Sequence, residues 1–354
     1  MKKILRTVRF WIIMLIPLSV ILTFMAKSFR GFADGYYEYI YKYISVIFNN
    51  ITGILPFSLG EMIVLLFPLC VPGYIIYLTV KTVRSDKKKR TLLNGAVNLL
   101  CVGAVILFLF TANCGINYYK TGVAEKMNIK TEPVSSDELY KVCVYLAERS
   151  SEIREDINED EKGVAVVSDK ADEMAKNYVN EFMGSRYSKP KGVILSRGMS
   201  YLDITGIYFP FTFEANINTD VPDFSIPSTM CHELAHVNGI MPEEDANFIS
   251  FLACINSGDR EFEYSGYMMS MIYASNALYK ADRSKYNSLV GYMSDGVIRD
   301  LNNQSEYWEQ FETPVAEVAS SVNDSYLKSN SQTDGVESYG KMVDLIIGYL
   351  RDKI

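Results

Sequence analysis

Three runs in the first 120 residues, 10–26, 62–80 and 91–119, contain no charged side chain. A hydrocarbon core asks for roughly 20 residues of helix, so each run is long enough to cross one. The third has its apolar centre at 96–112. The chain therefore reads as a mainly α membrane protein with helices near 10–26, 62–80 and 94–112. Buried globular helices are the rival reading, but three such runs so close together argue against it. A cleaved signal peptide is the rival for the first run, which follows Lys2, Lys3, Arg6 and Arg9. Its apolar stretch is long, and no small-x-small site closes it. Pro68, Pro72 and Gly73 inside the second run predict a kink, which helix packing in a bilayer tolerates.

Charge divides the chain and orients it. Residues 1–115 hold 13 Lys/Arg against 4 Asp/Glu, whereas 116–354 hold 22 against 38. An acidic back half lacks the cationic surface that neutralises phosphates, so no nucleic-acid partner is expected. The 81–90 loop holds six basic residues, and the loop between the first two runs balances Lys27, Arg30 and Lys42 with Asp34, Glu38 and Glu61. Basic loops stay in the cytoplasm. The expectation is a multi-pass protein of the bacterial cell membrane, its amino terminus cytoplasmic and residues 116–354 extracytoplasmic after three crossings. The tyrosine-dense stretch 36–44 has two readings: it lies along the outer membrane surface, or it packs against the outer domain.

The six cysteines form no CxxC pair and no framework spacing. Cys70 and Cys101 fall in apolar runs, where cysteine acts as a small hydrophobe. A disulfide among the other four is not signalled.

In 116–354 the pattern is helical with a small sheet. Ser135 and Glu138 have capping-box spacing and open a helix to about Ile157. Further helices are expected at 171–183, 227–238, 242–255, 265–281, 284–301, 306–326 and 338–353. Residues 192–195 and 203–218, rich in aromatic and β-branched side chains, read as short strands. Residues 329–335 read as a polar loop.

The chemistry lies in the run Cys231-His232-Glu233-Leu234-Ala235-His236. Residues four apart share a helix face, so both imidazoles can reach one metal ion. Glu233 beside them can take a proton from a water that the metal activates. The chain has only two histidines, both in this motif, which makes coincidence a weak rival. A catalytic zinc takes three protein ligands and leaves a position for water. With no third histidine, the last ligand must be a carboxylate or a cysteine. Position 242 is proline and position 256 is asparagine, which excludes two familiar placements. The acidic cluster Glu243, Glu244 and Asp245 follows the turn at Gly239 and is the candidate source. Acidic residues also favour any helix amino terminus, so the cluster has a purely structural reading too.

HELAH followed by Glu243, Ala246 and Asn247 resembles the glutamate-zincin (gluzincin) arrangement of the HExxH metallopeptidase clan. The wider pattern resembles an uncharacterised family of bacterial multi-pass membrane proteins placed beside those peptidases. It rests on NCGINYY at 113–119, GIYFPFTFEANIN at 206–218, the stretch 232–248 and YLKSNSQTDGVESYGKMV at 326–343. The resemblance implies Glu243 as the third ligand and a zincin-like α+β outer domain. It implies that Asn247, one turn on, orients a histidine, and that the 206–218 strand pairs with substrate backbone. A plain core strand is the other reading of 206–218. An oxyanion partner is also expected, with Tyr264, Tyr267 and Tyr339 as candidates.

The expected function is that of a membrane-anchored zinc metallohydrolase, a metalloprotease acting on an envelope or extracellular protein or peptide. The alternative is a non-catalytic envelope sensor or scaffold stabilised by zinc. Such a closed site would need a fourth protein ligand, with Cys231 or Asp245 as the options.

Overall fold

The computed structural model describes residues 8–29, 31–131, 134–330, 339–351 and 353–354. Lys2, Lys3, Arg6 and Arg30, which contributed to the charge argument, lie outside the described residues, as does most of the 329–335 loop.

Among the described residues, three helices are long and apolar enough to cross a membrane: Val8–Ser28, Leu59–Val83 and Lys88–Asn113, of 21, 25 and 26 residues. Each is at least about 30 Å long at 1.5 Å per residue. Ser58 caps the second, accepting the Glu61 N–H at 2.9 Å, and Pro68 and Pro72 lie inside it. The second and third meet near their shared loop. There the Tyr74 hydroxyl donates to the Gly95 carbonyl, and Gly95 leaves room for Leu78.

The tyrosine-dense stretch is helical. Phe32–Tyr36 runs through a π-helical turn at Tyr37–Tyr41 into Lys42–Gly53. Tyr37 and Tyr41 pack inward, as the packed reading of this stretch expects, while Tyr39 and Tyr43 are exposed.

The remainder is mainly helical around a three-stranded sheet. Strands β1 (Lys191–Gly192), β2 (Gly206–Phe209) and β3 (Glu214–Ile217) take the order β1-β3-β2. β3 is parallel to β1 and antiparallel to β2, with Gly206 opposite Ile217 and Phe209 opposite Glu214. All four residues of β3 are buried, and β2 forms an edge. Of the expected 192–195 strand, only Gly192 is extended in the sheet, and Ser196–Ser200 is a helical turn.

Ser135 caps a helix at Ser136–Arg154, its side chain accepting the Glu138 N–H at 3.2 Å. The helix expected at 171–183 forms as Ala171–Met183. That expected at 265–281 begins earlier, at Arg260, because the Asp259 carboxylate accepts the Glu261 and Phe262 N–H groups. The helices expected at 284–301 and 306–326 divide elsewhere, into Arg283–Ser288, Asp295–Glu309 and Pro314–Ser329. Ser294 and Thr313 act as amino-terminal caps, and Pro314 cannot continue the preceding helix. The last helix is Tyr339–Leu350.

Two apolar cores flank the helix Ile226–Val237 that carries the histidines. One joins it to Ala171–Met183, the sheet and Tyr41. The other gathers Ser136–Arg154, Glu243–Ile255, Arg260–Ala281 and Tyr339–Leu350. All six cysteines are free thiols.

Candidate metal centre

His232 and His236 lie one turn apart on Ile226–Val237, their rings perpendicular with centroids 4.5 Å apart. The helix ends at Gly239, whose φ of +75° is a left-handed stop. The Gly239 N–H bonds the His236 carbonyl and the Ile240 N–H bonds the Ala235 carbonyl, the paired bonds of a Schellman turn. A Cβ at Gly239 would also strike the Tyr41 ring at 2.8 Å. The reversal starts Glu243–Ile255 beside the histidines, so Glu243, in its first turn, reaches back to both. Its Oε2 is 3.2 Å from His232 Nε2, and its Oε1 is 3.5 Å from His236 Nε2.

One donor atom from each of His232, His236 and Glu243 lies within 4.8 Å of the others, a spacing that can hold a metal ion. The fit extends past the donors. His236 Nδ1 is 2.7 Å from the Ile240 carbonyl oxygen, so that nitrogen carries a proton, and Nε2, which faces Glu243, is the one to bind an ion once deprotonated. Glu233 is buried, and its Oε2 has no hydrogen-bond partner. An unpartnered buried carboxylate oxygen is costly, and this one lies beside the three donors.

The charges agree with this geometry. Burial works against a charged His236, but the Glu243 carboxylate more than offsets it and takes the imidazole up to about 9. Burial would likewise raise Glu243, yet the two imidazoles hold it well below the usual carboxylate range. Burial raises Glu233, partly countered by the two histidines.

Strand β2 runs along the Glu233 side. The Tyr208 N–H donates to the Glu233 carboxylate. A Cβ at Gly206 would stand 2.6 Å from Glu233 Oε1 and 2.8 Å from Thr229 Cγ2. Gly206→Ala should therefore push Glu233 aside and cost about 1–3 kcal/mol, as overpacking does. The denaturation midpoint of the full-length protein checks this, and an unchanged midpoint would contradict the close fit.

The other anticipated residues sit apart from the group. Asp245 accepts the Val123 N–H at 3.1 Å, and the Cys231 thiol pairs with Cys254. Neither belongs to the cluster of donors, which among the described residues numbers three. Asn247 makes no hydrogen bond to either imidazole: the Ile240 carbonyl takes His236 Nδ1, and His232 Nδ1 is unpartnered. Tyr264 gives its hydroxyl to Asp300 at 2.5 Å, and Tyr267 packs with Tyr145 and Arg149. The side chain of Tyr339 lies outside the described residues.

Two unanticipated phenols interact with Glu243. Tyr118 and Tyr326 are hydrogen-bonded to each other at 3.2 Å, with Cys114 Sγ 3.7 Å from the Tyr326 hydroxyl. Desolvation, then the neighbouring Cys114 and by a smaller amount the Glu243 charge, raises both phenols above the ordinary tyrosine value, although Tyr326 is 38% exposed. Both belong to stretches on which the resemblance rests, but 25 tyrosines hide any single one.

These features define a mainly helical protein with three helices able to cross a membrane and a two-histidine, one-glutamate group suited to a metal ion. The chain belongs to the family described as Protein of unknown function (DUF3810), whose pattern matches residues 36–347. No curated protein and no solved structure matches it.

Proposed function

We propose that this protein is a membrane-anchored, zinc-dependent metallohydrolase, a peptidase acting on an envelope or extracellular protein or peptide. One observation carries the reading. Three protein donors converge, with the unpartnered Glu233 Oε2 beside them. Structural zinc sites are closed by four protein ligands, whereas catalytic ones keep a position open.

His232, His236 and Glu243 would hold the ion. Bound zinc supplies a Lewis acid and lowers the pKa of water at the open position. Glu233 Oε2 takes the proton of the attacking water and returns it to the leaving amine. The exposed edge of β2, with Ile207 turned outward, offers backbone groups for an extended peptide beside Glu233. Tyr264 is committed to Asp300 and Tyr267 to Tyr145 and Arg149, which leaves Tyr118 and Tyr326, close enough to feel the Glu243 charge, as the phenols to donate to an oxyanion. This reading carries the relationship to the glutamate zincins with it.

The reading is tested by comparing envelope proteins from cells expressing wild type and Glu233→Gln. Substrates should accumulate uncleaved in the variant, and identical profiles would count against a peptidase. Its topological half places 116–354 outside the cytoplasm. A cysteine placed at the exposed Ser329, with Cys70 replaced by serine, should react with an impermeant thiol reagent on intact cells. Labelling only after lysis would reverse the orientation.

A further inference from the structure

The helix through 32–53 is amphipathic in the wrong sense for a water-facing element. Its inward face carries a polar row, beside which Ile44 and Val46 pack on the core. Tyr41, Ser45, Asn49 and Thr52 recur at helical spacing, and all four are buried. Each is bonded to the outer domain. The Tyr41 hydroxyl donates to the Val237 carbonyl at 3.0 Å, at the end of the histidine helix. Ser45 meets the Tyr187 hydroxyl at 2.9 Å, Asn49 Nδ2 donates to the Phe213 carbonyl, and Thr52 Oγ1 donates to the Thr212 carbonyl. The Thr52 carbonyl in turn accepts from Lys191 Nζ at 2.7 Å, whose ammonium also pairs with buried Glu214.

The outward face is apolar. Ile40, Tyr43, Ile47, Ile51 and Ile54 follow the same period on the opposite side, with Tyr39 beside them. Ile54 is 80% exposed, Tyr39 79% and Ile47 57%. The helix's charged residues are Asp34, bonded to Thr121, and Glu38 and Lys42, which pair with each other. A surface helix in water buries its apolar stripe and exposes its polar one. Here the polar stripe is satisfied by protein, and the apolar stripe faces outward as a continuous row, which water would penalise.

The chain leaves the first apolar span at Ser28 and enters the second at Leu59, so both ends of the helix are tied to membrane-crossing elements. A second segment meets the same level. Glu61, in the first turn of that span, accepts the Ile194 and Leu195 N–H groups, and Ile194 is 73% exposed.

We infer that the 39–54 face lies in the lipid interface, with its isoleucines in the upper acyl region and its tyrosines at headgroup level. Aromatic rings favour that boundary, and a helix in the interface plane buries its apolar side a few ångströms deep. The same helix, through Tyr41, fixes the end of the histidine helix, so the metal-donor group is held at the bilayer surface. The inference stands on the helix alone and does not depend on the hydrolase reading.

Nitroxides at Ile47→Cys and Ile51→Cys, in full-length protein lacking Cys70 and reconstituted into phosphatidylcholine–phosphatidylglycerol vesicles, test it. Collisions with oxygen should exceed those with a water-soluble nickel chelate several-fold, with the ratio reversed at exposed Ser305→Cys. Ratios at 47 and 51 equal to that at 305 would overturn the inference. Should a labelled variant not fold, wild-type protein labelled by a photoactivatable phospholipid decides. Tagged peptides within 39–54 support it, and tags confined to the three spans refute it.

Discussion

Full-length protein purified in detergent should carry about one zinc per chain, and His232→Ala or His236→Ala should abolish it. Each change removes one of three donors, so the loss should exceed the ten- to hundredfold cost of losing an outer partner. Stoichiometric zinc in the double variant would place the metal elsewhere. Proton linkage gives a sharper form of the expectation. In the metal-free state His236 titrates at about 9, because Glu243 stabilises its charge. Zinc binds only the neutral imidazole, so uptake at neutral pH must expel this proton. Affinity should therefore rise about tenfold per pH unit below about 9 and level off above it. The same shift works in the opposite sense on the metal-free fold. A raised histidine pKa contributes stability that is present below the ordinary value of about 6.5 and lost as pH rises through about 9. Metal-free protein should thus lose stability over the range in which zinc binding becomes tightest. Isothermal titration at several pH values, with denaturation of the metal-free protein alongside, reads both slopes.

The features legible in the sequence are those fixed within a few residues. His232 and His236 share a helix face by spacing alone, and the Gly239 turn signals the reversal that brings Glu243 back. The three apolar helices follow from length and absence of charge. What escaped the sequence depends on partners far along the chain or on backbone atoms. The Ile240 carbonyl that orients His236 has no side-chain signature. Tyr118 and Tyr326 are 208 residues apart, so only the folded chain joins them. The 32–53 helix shows an apolar stripe in sequence, but periodicity does not say which stripe protein covers. Its polar face is buried because Asn49 and Thr52 meet carbonyls of the turn between β2 and β3. The divisions at Ser294 and Thr313 depend on single caps inside polar stretches, where helical patterning is weak.

Three glutamine substitutions should separate the roles of neighbouring acids that composition cannot tell apart. Glu243→Gln removes the only anionic donor of the group, the one whose oxygens lie 3.2 and 3.5 Å from the two imidazoles. Zinc affinity should fall steeply, and the pH slope should end below 9 because the charge that raises His236 is gone. Glu233→Gln should leave zinc in place, since its carboxylate lies outside the three donors and faces Tyr208 N–H. Hydrolysis should nevertheless drop by about 10²–10⁴, the usual contribution of a positioned proton carrier. Glu244→Gln should alter neither quantity, as Glu244 is not among the donors. Metal content and turnover of a substrate found in the envelope comparison give one reading for each variant. Zinc lost with Glu244→Gln and kept with Glu243→Gln would move the ligand by one residue. Zinc lost with Glu233→Gln would make that residue a ligand and remove it as the base. Zinc kept in all three, with no hydrolysis by the wild type, would favour a metal-stabilised sensor or scaffold over an enzyme.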